Sequence, residues 1–288
     1  MAEPRPIEII TRSRPTIEGA GVRLKRAFAD NLAYRLDPFL LLDDFHSSDP
    51  KDYIAGFPWH PHRGIETVTY MISGSVDHGD SMGNRGTIAS GDVQWMTAGG
   101  GIVHQEMPQE YSGFFQGFQL WVNLPSRMKM MEPRYRGVTG DDIDTATPSK
   151  GVNVNVIAGR LGHTPGPVRD LVVDTDYVSV ETRPNTDYEH EIKKGYTAFA
   201  YVFGGSGTFG PDKTMLAGAE TLVVFGDGDT VTSRAGKDGM RFLLVSGKPL
   251  REPIAWRGPI VMNTPEELDK AYQEYWNGNF LQHRAKLD

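Results

Sequence analysis

Three of the eight histidines in this 288-residue chain fall in two short stretches, "FPWHPHRGIETVTYMISG" from Phe57 and "GGGIVHQEMPQ" from Gly99. In an extended strand, side chains two residues apart emerge on one face. His60 and His62 would therefore converge, and His104 and Glu106 repeat the spacing in the second stretch. Two such pairs on neighbouring strands supply four ligands, His60, His62, His104 and Glu106, to one metal ion. Three imidazoles and one carboxylate suit iron, manganese, nickel, copper or zinc, and the ligand set does not choose among them. A single His-x-His pair is ordinary on a solvated strand. Two pairs flanked by glycine turns read as a site.

The elements that must carry these residues are strands. Runs such as "ETVTYMIS", "DVQWMT", "GFQLWVNL", "VNVNVIAG", "TAFAYVFG", "ETLVVFG" and "MRFLLVSG" are rich in β-branched and aromatic residues and bounded by turn formers, which predicts an all-β chain. The exception is "NTPEELDKAYQEYW", with a cap at Asn263 or Thr264, Pro265 in the first turn and helically spaced apolar residues, which predicts a terminal helix. The acidic, turn-rich segment "YRGVTGDDIDTATPSKG" suggests two domains, residues 1–140 and 141–288. The halves resemble one another: "ETVTYMISGSVDHG" parallels "TAFAYVFGGSGTFG", and a Gly-Asp step follows each. An internal duplication accounts for this. Aligning Gly74 with Gly205 puts Glu191 and Lys193 in the places of His60 and His62, so the second half is expected to bind no metal.

Several other signals are discounted. "GSGTFG", from Gly205, fits a dinucleotide fingerprint formally but lacks a following helix, so it reads as a β-turn. His78, in "DHGDSMGNRG" near the metal segments, reads either as a neighbour standing behind the ligands or, in preference, as a solvated loop residue. The run Gly99-Gly100-Gly101 either brings its strand close to the metal or is a plain turn.

Composition excludes other classes. A formal net charge of −7, with no block of Lys or Arg, argues against an electrostatic grip on nucleic acid or an acidic membrane. The absence of cysteine rules out disulfides and thiolate chemistry. The opening "MAEPRPIEIITRSRPTIEG" has no apolar core of signal-peptide length, and runs such as "TLVVF" are too short to cross a bilayer. The expectation is a cytoplasmic monomer.

"HPHRGIETVTYMISG" followed by "GDVQWMTAGGGIVHQE", with "GPIVMNTPEELDKAYQEYWNGNF" near the end, resembles the pirins, bicupins of the cupin superfamily, over essentially the whole chain. The resemblance implies two cupin barrels (double-stranded β-helix, or jelly-roll) and a mononuclear metal centre in the first. That metal would be Fe(II), with Mn, Ni, Cu, Co or Zn as alternatives. The general cupin pattern takes its glutamate from the first motif, here Glu66, whereas pirins take it from the second, here Glu106. Glu106 is thus the implied ligand and Glu66 an outer-sphere residue. Only three residues separate Gly56 from His60, fewer than in most cupins, which leaves the approach to His60 open. The implied activity is that of a quercetin 2,3-dioxygenase, opening a flavonol with O2 and losing carbon monoxide, with Glu106 as proton acceptor. Phe57, Trp59, Met71 and Trp95 are either pocket walls or core. Some pirins instead act as regulators that bind protein partners, the alternative the resemblance carries.

Overall fold

The segment Ile65–Ser73 shows how this sequence makes a sheet. Its Val, Ile, Thr and Tyr side chains suit a pleated backbone, and its first seven residues are all buried. Burial on both faces explains why the sequence alternates so weakly between apolar and polar. The computed structural model describes residues 3–212 and 214–283. Two compact units emerge, dividing the middle of the chain between Gly140 and Asp141.

The metal-motif unit packs a seven-stranded sheet against a four-stranded one. In the larger sheet the order is Arg134–Val138, Val93–Thr97, Ile65–Ser73, Phe115–Asn123, Phe39–Ser47, Val22–Phe28 and Arg14–Glu18. The smaller runs Phe57–His62, Ile102–Pro108, Val76–Asp80 and Arg85–Ile88. This is a cupin barrel, with Phe45, Met71, Val76, Ile88 and Phe115 in one apolar cluster. Across the larger sheet Thr69 faces Gln119, Gln119 faces Asp43 and Asp43 faces Arg26. One polar row thus crosses four strands.

The second unit is built on a nine-stranded sheet, and its core is apolar, with Val152, Val154, Tyr188, Ile192 and Phe242 buried together. Glu191 and Lys193 are exposed, and the buried His190 and Ile192 alternate with them. No metal-ligand grouping occurs in this unit among the described residues. "GSGTFG" lies in the strand Thr197–Phe209, where register shifts at Val202–Gly204 and Gly205–Gly207 absorb its glycines. It is a bulged strand rather than the expected turn, and no helix follows it.

The units differ from the expected 1–140 and 141–288 at both termini. Met1–Arg14 belongs to the second unit, where Ile7–Arg12 pairs with the strand Thr221–Phe225. Leu250–Asp288 belongs to the metal-motif unit. Strand pairing and side-chain contacts, not chain order, decide both placements. The helix Pro265–Trp276 forms as expected, with Pro265 in the first turn and a reciprocal capping box between Thr264 and Glu267. Arg63, the residue after His62, reaches this terminal segment. It donates to Glu274 Oε2 at 2.6 Å and to the carbonyl of Phe280 at 2.6 Å, and it stacks over the Phe280 ring. No described helix is long and apolar enough to cross a membrane.

Candidate metal centre

The strand Phe57–His62 pairs antiparallel with Ile102–Pro108, so that His104 sits opposite His60. Strand geometry then converges the rings, as the spacing predicts. One nitrogen from each of His60, His62 and His104 lies within 4.8 Å of the others. His60 Nδ1 meets the carbonyl of Pro58 at 2.8 Å, and His62 Nδ1 meets that of Pro259 at 3.1 Å. A carbonyl only accepts, so each Nδ1 carries the proton and each Nε2 presents a lone pair. Those two Nε2 atoms face each other at 3.1 Å. His104 is fully buried with no hydrogen bond to either ring nitrogen. Opposed lone pairs and an orphaned buried imidazole are unfavourable without a cation between them, and all three nitrogens suit a first-row divalent ion. Burial, then the charge of neighbouring histidines, holds His62 and His104 well below the ordinary imidazole pKa. Both therefore stay neutral, the form that ligates.

Glu106 lies outside this grouping. Its Oε1 accepts from Thr69 Oγ1 at 2.8 Å and its Oε2 from Gln119 Nε2 at 2.9 Å. The Gln119 amide is oriented in turn by Trp121, whose indole N–H donates to Oε1 at 3.2 Å. Trp121 also meets His62 edge-on, with ring centroids 5.1 Å apart. Glu106 is thus tethered in the barrel interior beside the histidines rather than among them.

Glu66 stands elsewhere. On one strand Glu66 and Thr69 differ by three residues and so face opposite ways, and it is Thr69 that meets Glu106. The Glu66 carboxylate accepts from Thr97 Oγ1 at 2.5 Å and from Arg136 at 3.4 Å. The parity shared by His60, His62 and Glu66 is broken at Gly64. This residue adopts φ +78°, and a Cβ there would fall 1.9 Å from the carbonyl oxygen of Val261. Only glycine permits that turn between the two sheets. The glycine run before His104 has a comparable cause: Gly99 and Gly100 form a turn, and a Cβ on Gly99 would lie 2.1 Å from the Met131 carbonyl.

His78 is the residue whose burial sequence reasoning missed. It is not a solvated loop residue but is buried on the strand Val76–Asp80, opposite Glu106 in register. Its Nε2 lies 3.2 Å from Asp80 Oδ2, and its ring centroid is 5.5 Å from that of His104. The i, i+2 pair His78 and Asp80 was the available signal. Turn formers on either side masked it.

A cavity of about 640 Å³ opens beside His60 and His62. Its lining includes the apolar Phe57, Trp121 and Trp256 and the polar Gln119, Arg26 and Asp43. Of the four aromatic and thioether residues considered as walls, Phe57 is one. Trp59 is 48% exposed and lies outside the lining, whereas Met71 and Trp95 are fully buried core.

Comparison with known proteins agrees with this architecture in both halves. Residues 21–122 match the family model described as Pirin, and residues 177–281 match the Pirin C-terminal cupin domain. A pirin-like protein of Caulobacter vibrioides is 43% identical over 96% of this chain and 99% of its own. One from Solanum lycopersicum is 41% identical over 96% and 93% respectively. The solved structure of a quercetin 2,3-dioxygenase from Acinetobacter baumannii superposes with a TM-score of 0.89 at 32% identity, covering 96% of this chain and 98% of that one. With two cupin barrels, a three-histidine cluster in the first and relatives matched nearly end to end, this chain belongs to the pirin family.

Proposed function

We propose that this pirin is a metal-dependent dioxygenase that opens flavonols or related enolised aromatics with O2, at a centre held by His60, His62, His104 and Glu106. The observation that carries the reading is the buried histidine cluster at the wall of a large, aromatic-lined cavity. Clefts of roughly 300–1,000 Å³ with apolar walls and a few fixed polar groups are the usual form of small-molecule sites. A bound ferrous ion, or another first-row divalent metal, would supply Lewis acidity toward the substrate oxygens and reactivity toward O2.

The chain's own residues do the rest. Trp121 and Trp256, with centroids 6.0 Å apart, offer faces to a flat ring. Burial of His62 and His104 keeps their lone pairs free of protons. Glu106 would hold the metal as fourth ligand through Oε1, released from Thr69, with Oε2 kept on Gln119, and it accepts the proton of the substrate's enolic hydroxyl. Gln119 then holds the carboxylate's orientation through the Trp121 contact. The relative from Acinetobacter baumannii supports the substrate class by its name.

The test gives quercetin under air to protein loaded in turn with iron, manganese, nickel, copper and cobalt. Loss of flavonol absorbance with release of carbon monoxide is expected with at least one metal. No loss with any would end the proposal.

A further inference from the structure

Beyond Gln119, the polar residues of the cavity lining are not used by the chemistry above. Arg26 Nε and Nη2 each donate to Asp43 at 2.8 Å in a bidentate pair, and Arg26 Nη1 meets Glu18 Oε1 at 2.9 Å. All three residues line the cavity, and so does Asp30. Asp43 is 6% exposed. Burial raises its pKa to about 6, against the pull of Arg26. Two carboxylates, Asp43 and Glu18, engage one guanidinium, and with Asp30 in the same lining this part of the cavity is net acidic.

Its distance from Gln119 follows from strand register. Gln119 holds Glu106, Asp43 lies opposite Gln119, and Arg26 lies opposite Asp43. Neighbouring strands are about 4.8 Å apart, so Arg26 stands about 10 Å from Gln119 along the sheet. A ligand anchored at the histidines and lying along Trp121 would carry its remote end toward Asp43 and Arg26. The two ends of the cavity have opposite character: the metal end favours an oxyanion, whereas the acidic wall favours groups that donate hydrogen bonds.

We infer that Glu18, Arg26 and Asp43 form a specificity site that reads phenolic hydroxyls on the ring remote from the metal and rejects anionic substituents there. Asp43 accepts from the hydroxyls, Arg26 fixes the Asp43 rotamer, and Glu18 adds the charge that repels a carboxylate. The inference rests on the proposed function and names the kind of flavonol it would take.

The test is equilibrium binding to iron(II)-loaded protein without O2, so that affinity is read apart from turnover. The probes are 3-hydroxyflavone, 3,3′,4′-trihydroxyflavone and 3-hydroxyflavone bearing a 4′-carboxylate. The trihydroxy compound is expected to bind about tenfold more tightly than the parent, as for hydrogen bonds to a charged acceptor, and the carboxylate about tenfold more weakly. In Asp43→Asn the preference for the hydroxyls should shrink to about threefold or less. In Glu18→Gln, at a more exposed position that spares folding, discrimination against the carboxylate should relax. Equal affinities in the wild type, or preferences unchanged in both variants, would overturn the inference while leaving the flavonol reading in place. Binding of none of the three probes would overturn the flavonol reading itself, and the inference with it.

Discussion

His60 Nε2 lies 3.1 Å from His62 Nε2, while each Nδ1 is tied to a backbone carbonyl, of Pro58 and Pro259 respectively. The carbonyls choose the tautomer. Two lone pairs are thereby directed at one point, with His104 completing the triangle, so the fold spends local stability to hold a cation site ready.

Metal binding should relieve that strain and stabilise the chain. At a free metal concentration of 100 Kd the gain is about 2.7 kcal/mol, or roughly 4–5 °C in melting temperature for a chain of this size. Elemental analysis after chelator-washed gel filtration should give close to one ion per chain, and His104→Ala should lose it. A ratio near two would mean that the second unit binds metal despite its apolar core.

Glu66→Gln and Glu106→Gln should separate cleanly. Glu66 faces away from Thr69 and is engaged by Thr97 and Arg136. Its amide variant should keep full metal content and lose about 1–3 kcal/mol of stability, the cost of a weakened charged hydrogen bond. Glu106→Gln should lower metal affinity or activity by about 10–100-fold or more. Metal loss in Glu66→Gln with retention in Glu106→Gln would place the fourth ligand at Glu66.

The outcomes for Glu66 and His78 show what the sequence could convey. Strand parity located His60, His62 and His104 because each pair lies within one strand. It does not extend to Glu66, because Gly64 turns the chain into a different sheet and no periodicity survives such a break. His78 looked solvated because burial was conferred by pairing with the Glu106 strand, which is remote in sequence. The same holds for Glu18, Arg26 and Asp43, which only register brings together, and for the exchanged termini. Local pattern fixes element type, whereas non-local pairing decides which faces meet.

The second unit should carry a pH signature of its own. His190 is buried beside Tyr188, whose hydroxyl lies 2.7 Å from its Nδ1, and burial lowers its pKa to about 4. Between pH 4 and its ordinary value of 6.5, the unfolded chain binds a proton that the folded chain refuses. Stability is therefore complete above pH 6.5 and declines on acidification toward 4, by up to about 3 kcal/mol. Urea unfolding of wild type and His190→Gln across this window should show a shallower decline in the variant. A difference between the two that is constant with pH would refute this.

Lys129 should prove to be a positioning residue for the centre although it touches no ligand. Its ammonium is buried and donates to the carbonyls of Gly64 at 2.9 Å and Val261 at 3.0 Å and to Asn123 Oδ1 at 2.7 Å. Burial pushes its pKa down to about 7, partly offset by Glu252 and Glu267, and the three acceptors call for all three N–H groups of the charged form. Gly64 follows the His62 strand by two residues, and Val261 follows by two the Pro259 carbonyl that orients His62. Lys129 thus clamps the two segments that aim one imidazole. Lys129→Met, which preserves length and apolar volume, takes the donor from the Val261 carbonyl and Asn123 Oδ1 and leaves the Gly64 carbonyl only the Leu124 N–H, and should cost about 3 kcal/mol. Beyond that loss, competition against a chelator should show metal affinity lowered by about tenfold, because a misplaced Pro259 no longer fixes the His62 tautomer. A variant that is destabilised yet binds metal as tightly as wild type would reduce Lys129 to a packing residue.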